Sequence, residues 1–197
     1  MRKRRNDGEQ TKKLIIKKAK EIFCQKGYTA TSIEDICTAT GVSKGSLYYH
    51  FKNKEDLFLS FVEDHFASWN QECERIIRQV SSATDKLYMI AEHFARDFEH
   101  PLYKVVEEFV ANTISHNEDI VKQLNSSIHQ SYSLYRHIIK EGIDQGDFKQ
   151  NDLDEIAKTF MGLLAGLSIF QQELDSSSLI TLYQKATSIF LHGIAKN

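Results

Sequence analysis

Between Ser43 and His50 the chain reads Ser-Lys-Gly-Ser-Leu-Tyr-Tyr-His. This stretch holds hydroxyls, an ammonium, an imidazole and two phenols, and no carboxylate. Such a set donates and accepts hydrogen bonds at phosphate oxygens and base edges. It lacks the paired carboxylates or base-activated nucleophile that acid–base or covalent catalysis needs. On a helix at about 100° per residue, Leu47 and Phe51 share one side, flanked by Lys44 and Tyr48. Gly45, Ser46, Tyr49 and His50 lie on the opposite arc. Gly45 and Ser46, near the helix start, let the backbone come close to a flat partner, and the start itself attracts phosphate. An aromatic core stripe explains Leu47 and Phe51. It does not explain Tyr49 and His50 on the far side, so the arc points to nucleic acid. Lys54, further on, fits two readings: a phosphate contact or a solvated surface lysine.

Other chemistries find little support. There is no HExxH, phosphate-binding glycine loop or CxxC. His93, His100, His116, His129 and His137 are scattered without a metal-ligand spacing. Cys24, Cys37 and Cys73 are too few and too far apart for a disulfide framework or a zinc knuckle. Neither a metal nor a cofactor is expected.

The arc must be held by a frame, and the sequence predicts a helical one. Nearly every stretch fits a 3.6-residue period and none sustains alternation. The chain has one proline in 197 residues, where about 5% is usual. The expected fold is all-α. A first helix from about Glu9 to Lys26 would put Ile15, Ala19, Ile22 and Phe23 on one face and Lys13, Lys17 and Lys20 opposite, with Gly27 ending it. Thr31-x-x-Glu34 has the form of a capping box for a second helix reaching Thr40. Gly41-Val42 turns the chain, and Ser43 caps the third helix, which reaches Phe51. Asn53, with Asp56 three residues on, caps a long fourth helix along which Phe58, Val62, His65, Trp69, Cys73 and Ile76 keep to one side. Helices two and three around a glycine turn, with helix one before them, make a helix-turn-helix unit at about 32–51. Further helices are expected at about Thr84–Glu99, Pro101–Ser115, Glu118–Gln145, Asp152–Leu174 and Ser177–Lys196.

Charge divides the chain in the same way. Residues 1–60 carry 13 Lys and Arg against 7 Asp and Glu, and the remainder 12 against 20, inside a net charge of −2. A basic head on an acidic body suits a polyanion-binding module joined to a part with another task. No apolar run follows the charged start Met1-Arg-Lys-Arg-Arg5. The longest apolar run, Phe160 to Phe170, is far below the roughly 20 residues that span a bilayer. A cytoplasmic protein without a membrane partner is expected.

Gly27-Tyr28-x-x-Thr31-Ser32-Ile33-x-x-Ile36, followed by Gly41-Val42-Ser43-Lys44-Gly45-Ser46-Leu47-Tyr48-Tyr49-His50-Phe51-Lys52-Asn53-Lys54-Glu55-x-Leu57, resembles the DNA-binding domain of TetR-type transcriptional regulators. The resemblance covers residues 9–69 and continues more weakly through Glu141-Gly142-Ile143-x-x-Gly146-x-Phe148 to Gly162-x-x-x-Gly166. It implies a homodimeric repressor whose two recognition helices enter successive major grooves of a palindromic operator, and which a small molecule releases. It further implies DNA contacts at Lys44, Gly45, Ser46, Tyr48, Tyr49, His50 and Lys54, at Thr31 or Ser32, and at Ser43 where the reading helix starts. Residues 70–197 would be the ligand-binding and dimerisation domain. Arg2–Arg5 is an extension, either a minor-groove arm or a solvated tail.

Two further expectations concern that second half. Leu153, Ile156, Ala157, Phe160, Leu163, Leu164 and Leu167 form one apolar face, and Gly162, Ala165, Gly166 and Ile169 a second one of mostly small residues. A helix needs one face for its own core. The second face, with Phe160 and with Leu182, Tyr183, Ala186, Ile189 and Phe190 of the last helix, is therefore the expected dimer interface. Trp69, Tyr88, Phe94, Phe98, Tyr103, Phe109, Tyr132 and Phe160 are more aromatic surface than a bundle of this size needs, and suggest the wall of a pocket for an aromatic or amphipathic effector. Each residue singly fits an ordinary core. A helical enzyme and a non-specific architectural DNA-binding protein are the competing classes.

Overall fold

Three residues spaced by four, Ile15, Ala19 and Phe23, are fully buried along the first helix, as an apolar stripe on a helix requires. That helix, α1, runs Arg2–Lys26 in the computed structural model, several residues earlier than the periodicity predicts. The structure describes residues 2–97, 102–113 and 118–194, except the side chains of 2–6, 103, 113, 118, 119, 121, 123–125 and 127–130. The Arg2–Arg5 side chains are thus outside the described residues.

Gly27 at φ +84° ends α1, and its N–H donates to the Phe23 carbonyl. The helices that follow are α2 (Ile33–Thr40), α3 (Lys44–His50) and α4 (Lys54–Ile77). Then come α5 (Ala83–Asp97), α6 (Leu102–Thr113), α7 (Glu118–Gln145), α8 (Leu153–Leu167) and α9 (Ser176–Ile194). The fold is all-α. The eighth helix is shorter than expected, because it tightens into a 3-10 turn at Ser168–Gln172. No helix of the described residues is long and apolar enough to cross a membrane.

The chain forms two compact units. The first comprises residues 1–65 and 101–126, the second 66–100 and 127–197. This departs from the expectation that everything after residue 69 belongs to the body, since α6 and the start of α7 group with the head. The reason is visible in the head's core. The Phe109 ring of α6 sits 4.5 Å from that of Phe58 and 4.7 Å, edge-on, from that of Tyr28. Phe23 joins edge-on to Phe58 at 5.1 Å. Leu47, Phe51, Ile36 and Leu57 are buried as well.

The second unit is built on Trp69 and Cys73 of α4, Leu87, Ile90 and Ala91 of α5, Tyr135, Ile138 and Ile139 of α7, and apolar residues of α8 and α9. Asp152 caps α8 by accepting from the N–H groups of Asp154 and Glu155 at 2.9 Å. After α7, the Gly142 carbonyl accepts from Asp147 and Phe148, which folds the Phe148 ring onto Gly142.

Candidate nucleic-acid interface

Local chemistry places the reading helix. Gly41, at φ +72°, ends α2 in the left-handed region, and its N–H donates to the Cys37 carbonyl. Two residues later the Ser43 hydroxyl accepts from the Ser46 N–H at 3.1 Å and starts α3. Gly41-Val42-Ser43-Lys44-Gly45 has the spacing of a nucleophile elbow, but that turn follows a strand. Here Ser43 follows a helix and its oxygen is a cap.

Leu47 is fully buried and Phe51 nearly so, which anchors α3 to the head's core. The other side is open: Gly45 and Lys44 are exposed, Ser46 and His50 half-buried, and Tyr48 and Tyr49 are 50% and 83% exposed. Tyr49 meets the His50 ring edge-on at 5.0 Å. The structure thus brings Ser43, Lys44, Gly45, Ser46, Tyr48, Tyr49 and His50 together on one short helix. Lys44 is ion-paired with Glu34 of α2, which holds the Glu34 carboxyl below its usual range and raises the lysine.

Two of the expected contact residues have partners inside the head. Thr31 is buried, and its hydroxyl donates to the Gly27 carbonyl at 2.7 Å, so it presents nothing to a partner. The cap of α2 is Ser32, one residue along: its hydroxyl accepts from the Asp35 N–H, and Asp35 accepts from the Ser32 N–H at 2.9 Å. The exposed Ser32 remains on the outer surface. The Asp35 carboxyl is held far below its usual range, first by Lys26 and then by Ser32. Lys54 is also committed. Its ammonium donates to the carbonyls of Tyr28 and Thr31, both at 3.0 Å, and lies 4.3 Å from the centre of the Tyr28 ring. Burial lowers its pKa. It is a brace of the α1–α2 turn.

Residues 15–61 match the model of bacterial regulatory proteins of the tetR family, and residues 65–196 match that of the QacR-like C-terminal region. The chain belongs to the TetR family. It is a DNA-binding transcriptional regulator, and its α2–α3 pair is the helix-turn-helix of that family. Among curated TetR relatives, the regulator QacR of Staphylococcus aureus is 30% identical over 92% of this chain and 97% of its own. The repressor KstR2 of Rhodococcus jostii is 26% identical over 95% and 92%. The structure of Bacillus subtilis FadR with stearoyl-CoA superposes with a TM-score of 0.76 at 22% identity, over 92% of this chain and 98% of that one. That last likeness is one of fold.

The TetR C-terminal half disperses the aromatic set expected to wall a pocket. Phe109 is in the head's core, while Trp69 and Phe160 are buried in that of the second unit. Trp69 stacks on His93 at 5.5 Å and meets Phe94 edge-on at 6.0 Å, and Phe160 meets Tyr135 at 5.7 Å. Tyr88 and Tyr132 are half-buried against the same core. Phe98 and the Tyr103 side chain lie outside the described residues. A cleft of about 710 Å³ opens elsewhere in this unit, between the end of α4, Lys86 and α7. Its walls include Ile77, Leu134, His137 and a Lys86–Glu141 ion pair of 2.7 Å. In the sequence its charged lining reads as solvated helix surface, so periodicity gives no sign of it.

The expected dimer face is also divided. Phe160, Tyr183 and Ala186 are buried in the protomer's own core, where the Tyr183 hydroxyl donates to the Leu164 carbonyl at 2.9 Å. Gly162, Ala165 and Gly166 are exposed, as are Ile169 (71%) and Ile189 (75%), with Leu182 and Phe190 half-buried.

Proposed function

We propose that this TetR-family chain is a homodimeric repressor. The unit of residues 1–65 and 101–126 is its reading head, and α3 of each protomer reads a palindromic operator. The observation that carries the reading is α3 itself: Tyr49 is 83% exposed on a helix without a carboxylate, whose Leu47 is fully buried. An exposed phenol, a serine and a glycine backbone suit base edges, and Lys44 and Ser32 suit phosphates. Exposed Ile169 and Ile189, with the open glycines Gly162 and Gly166, support pairing of α8 and α9 across a two-fold axis.

A small amphipathic effector taken up by the second unit releases the DNA. A cleft with apolar and charged walls supports this, as does a relative of the same fold solved with an acyl-CoA. The regulator acts in the cytoplasm and performs no catalytic step. Duplexes selected by the protein from a random pool should converge on a palindrome, and ligands that raise the melting temperature should lower affinity for it. Coupling of about 5–150-fold is typical. Failure to select any sequence would point instead to an architectural DNA-binding protein, whose affinity follows salt and not sequence.

A further inference from the structure

The turn between α1 and α2 is gripped from two sides by opposite charges. From α6, the Glu108 carboxylate accepts from the Tyr28 N–H through Oε2 and from the Thr29 N–H through Oε1, both at 2.9 Å. From α4, Lys54 holds the carbonyls of Tyr28 and Thr31. With each oxygen committed to a different N–H, the carboxylate cannot rotate without breaking one bond, and charged acceptors make the stronger backbone bonds. Gly27 makes room for it: a Cβ there would stand 2.6 Å from Glu108 Oε2. The ring of Tyr28 meets Phe109, the next residue of α6, edge-on. Thus one turn of α6 fixes both the backbone and the side chain of Tyr28. Four residues on from Tyr28, Ser32 caps α2, whose Glu34 is paired to Lys44 of α3. Glu108 lies in the stretch matched by the C-terminal family model, outside the 15–61 of the DNA-binding one.

We propose that Glu108 is a positioning residue for operator recognition. By holding the two N–H groups of the turn it sets where α2 begins, and so where α3 stands against the groove. This rests on the operator-binding reading above. Glu108 touches no DNA in this scheme, so its loss should misplace the reader while leaving the phosphate attraction intact.

The test uses the full chain and two duplexes: one selected by the wild type from a random pool, and a scrambled version of it. The readout is the ratio of the two affinities, which partial unfolding does not move because it lowers both alike. Glu108→Ala should lower the ratio about tenfold or more with scrambled-duplex affinity unchanged. Glu108→Gln, which keeps one acceptor, should fall between, and Glu107→Gln, at an exposed neighbouring position, should match the wild type. A wild-type ratio in Glu108→Ala overturns the proposal, and if that variant does not fold, a wild-type ratio in Glu108→Gln does so. A wild type that does not discriminate between the duplexes overturns both this and the operator reading.

Discussion

Lys44 of α3 and Glu34 of α2 form an ion pair on the surface of the head. The only lysine of the reading helix therefore has a carboxylate as its neighbour, and a phosphate approaching it competes with Glu34. Glu34→Gln should strengthen binding to any duplex by no more than about fivefold, the scale of an exposed pair. It should also steepen the plot of log affinity against log salt by about one. Anisotropy titrations at several salt concentrations check this. Weaker binding would show that Glu34 holds Lys44 in its binding position.

Tyr49 and His50 separate by burial. Tyr49→Ala removes a ring that is 83% exposed, so the melting temperature should hold while operator binding falls by about 1–3 kcal/mol, as for loss of one base contact. His50 is half-buried, with its ring near Gly8 of α1. His50→Ala should therefore cost some stability as well as affinity. Thermal melts beside operator titrations distinguish the two; a large melting loss in Tyr49→Ala would contradict the face assignment.

Lys54→Ala should behave as a stability variant. Two carbonyls lose their charged donor, at about 1–3 kcal/mol for a bond of that kind, and denaturant unfolding should report it. The salt slope of DNA binding should stay at the wild-type value. A flatter slope would reinstate Lys54 as a phosphate contact.

How far the sequence was legible follows from these residues. The buried stripes of α1 and α3 were readable because period and type agree at every position. The start of α2 was not: Thr31-x-x-Glu34 and Ser32-x-x-Asp35 both fit a capping box, and the choice depends on Thr31 turning to the Gly27 carbonyl. Phe160 and Tyr183 sit on apolar faces that any helix could cover, and periodicity cannot say whether the cover is the same chain or a second copy. Glu108 left no signal, since its partners are 79 and 80 residues away.

Gly142→Ala should be disruptive although α7 would gain a better helix former. A Cβ at this position would stand 2.3 Å from two carbons of the buried Phe148 ring. Overpacking of this sort costs about 1–3 kcal/mol. A chemical melt of the variant measures it, and a gain in stability would mean that the ring moves aside freely.

Gly166→Glu and Ile189→Glu place a charge on the exposed faces of α8 and α9 without touching the protomer's core. Both should sediment as monomers at low micromolar concentration where the wild type sediments as a dimer, with helix content unchanged. A dimer that survives both substitutions removes this surface from the interface.

The head draws on two separated stretches of chain, 1–65 and 101–126. On the ribosome, the helix-turn-helix emerges long before Phe109 and Glu108, so the rings of Tyr28 and Phe58 lack their α6 partner until that helix follows. The same order limits what can be cut and joined. A gene fragment ending at residue 69 encodes the helix-turn-helix without the Glu108 carboxylate and the Phe109 ring that meet its α1–α2 turn.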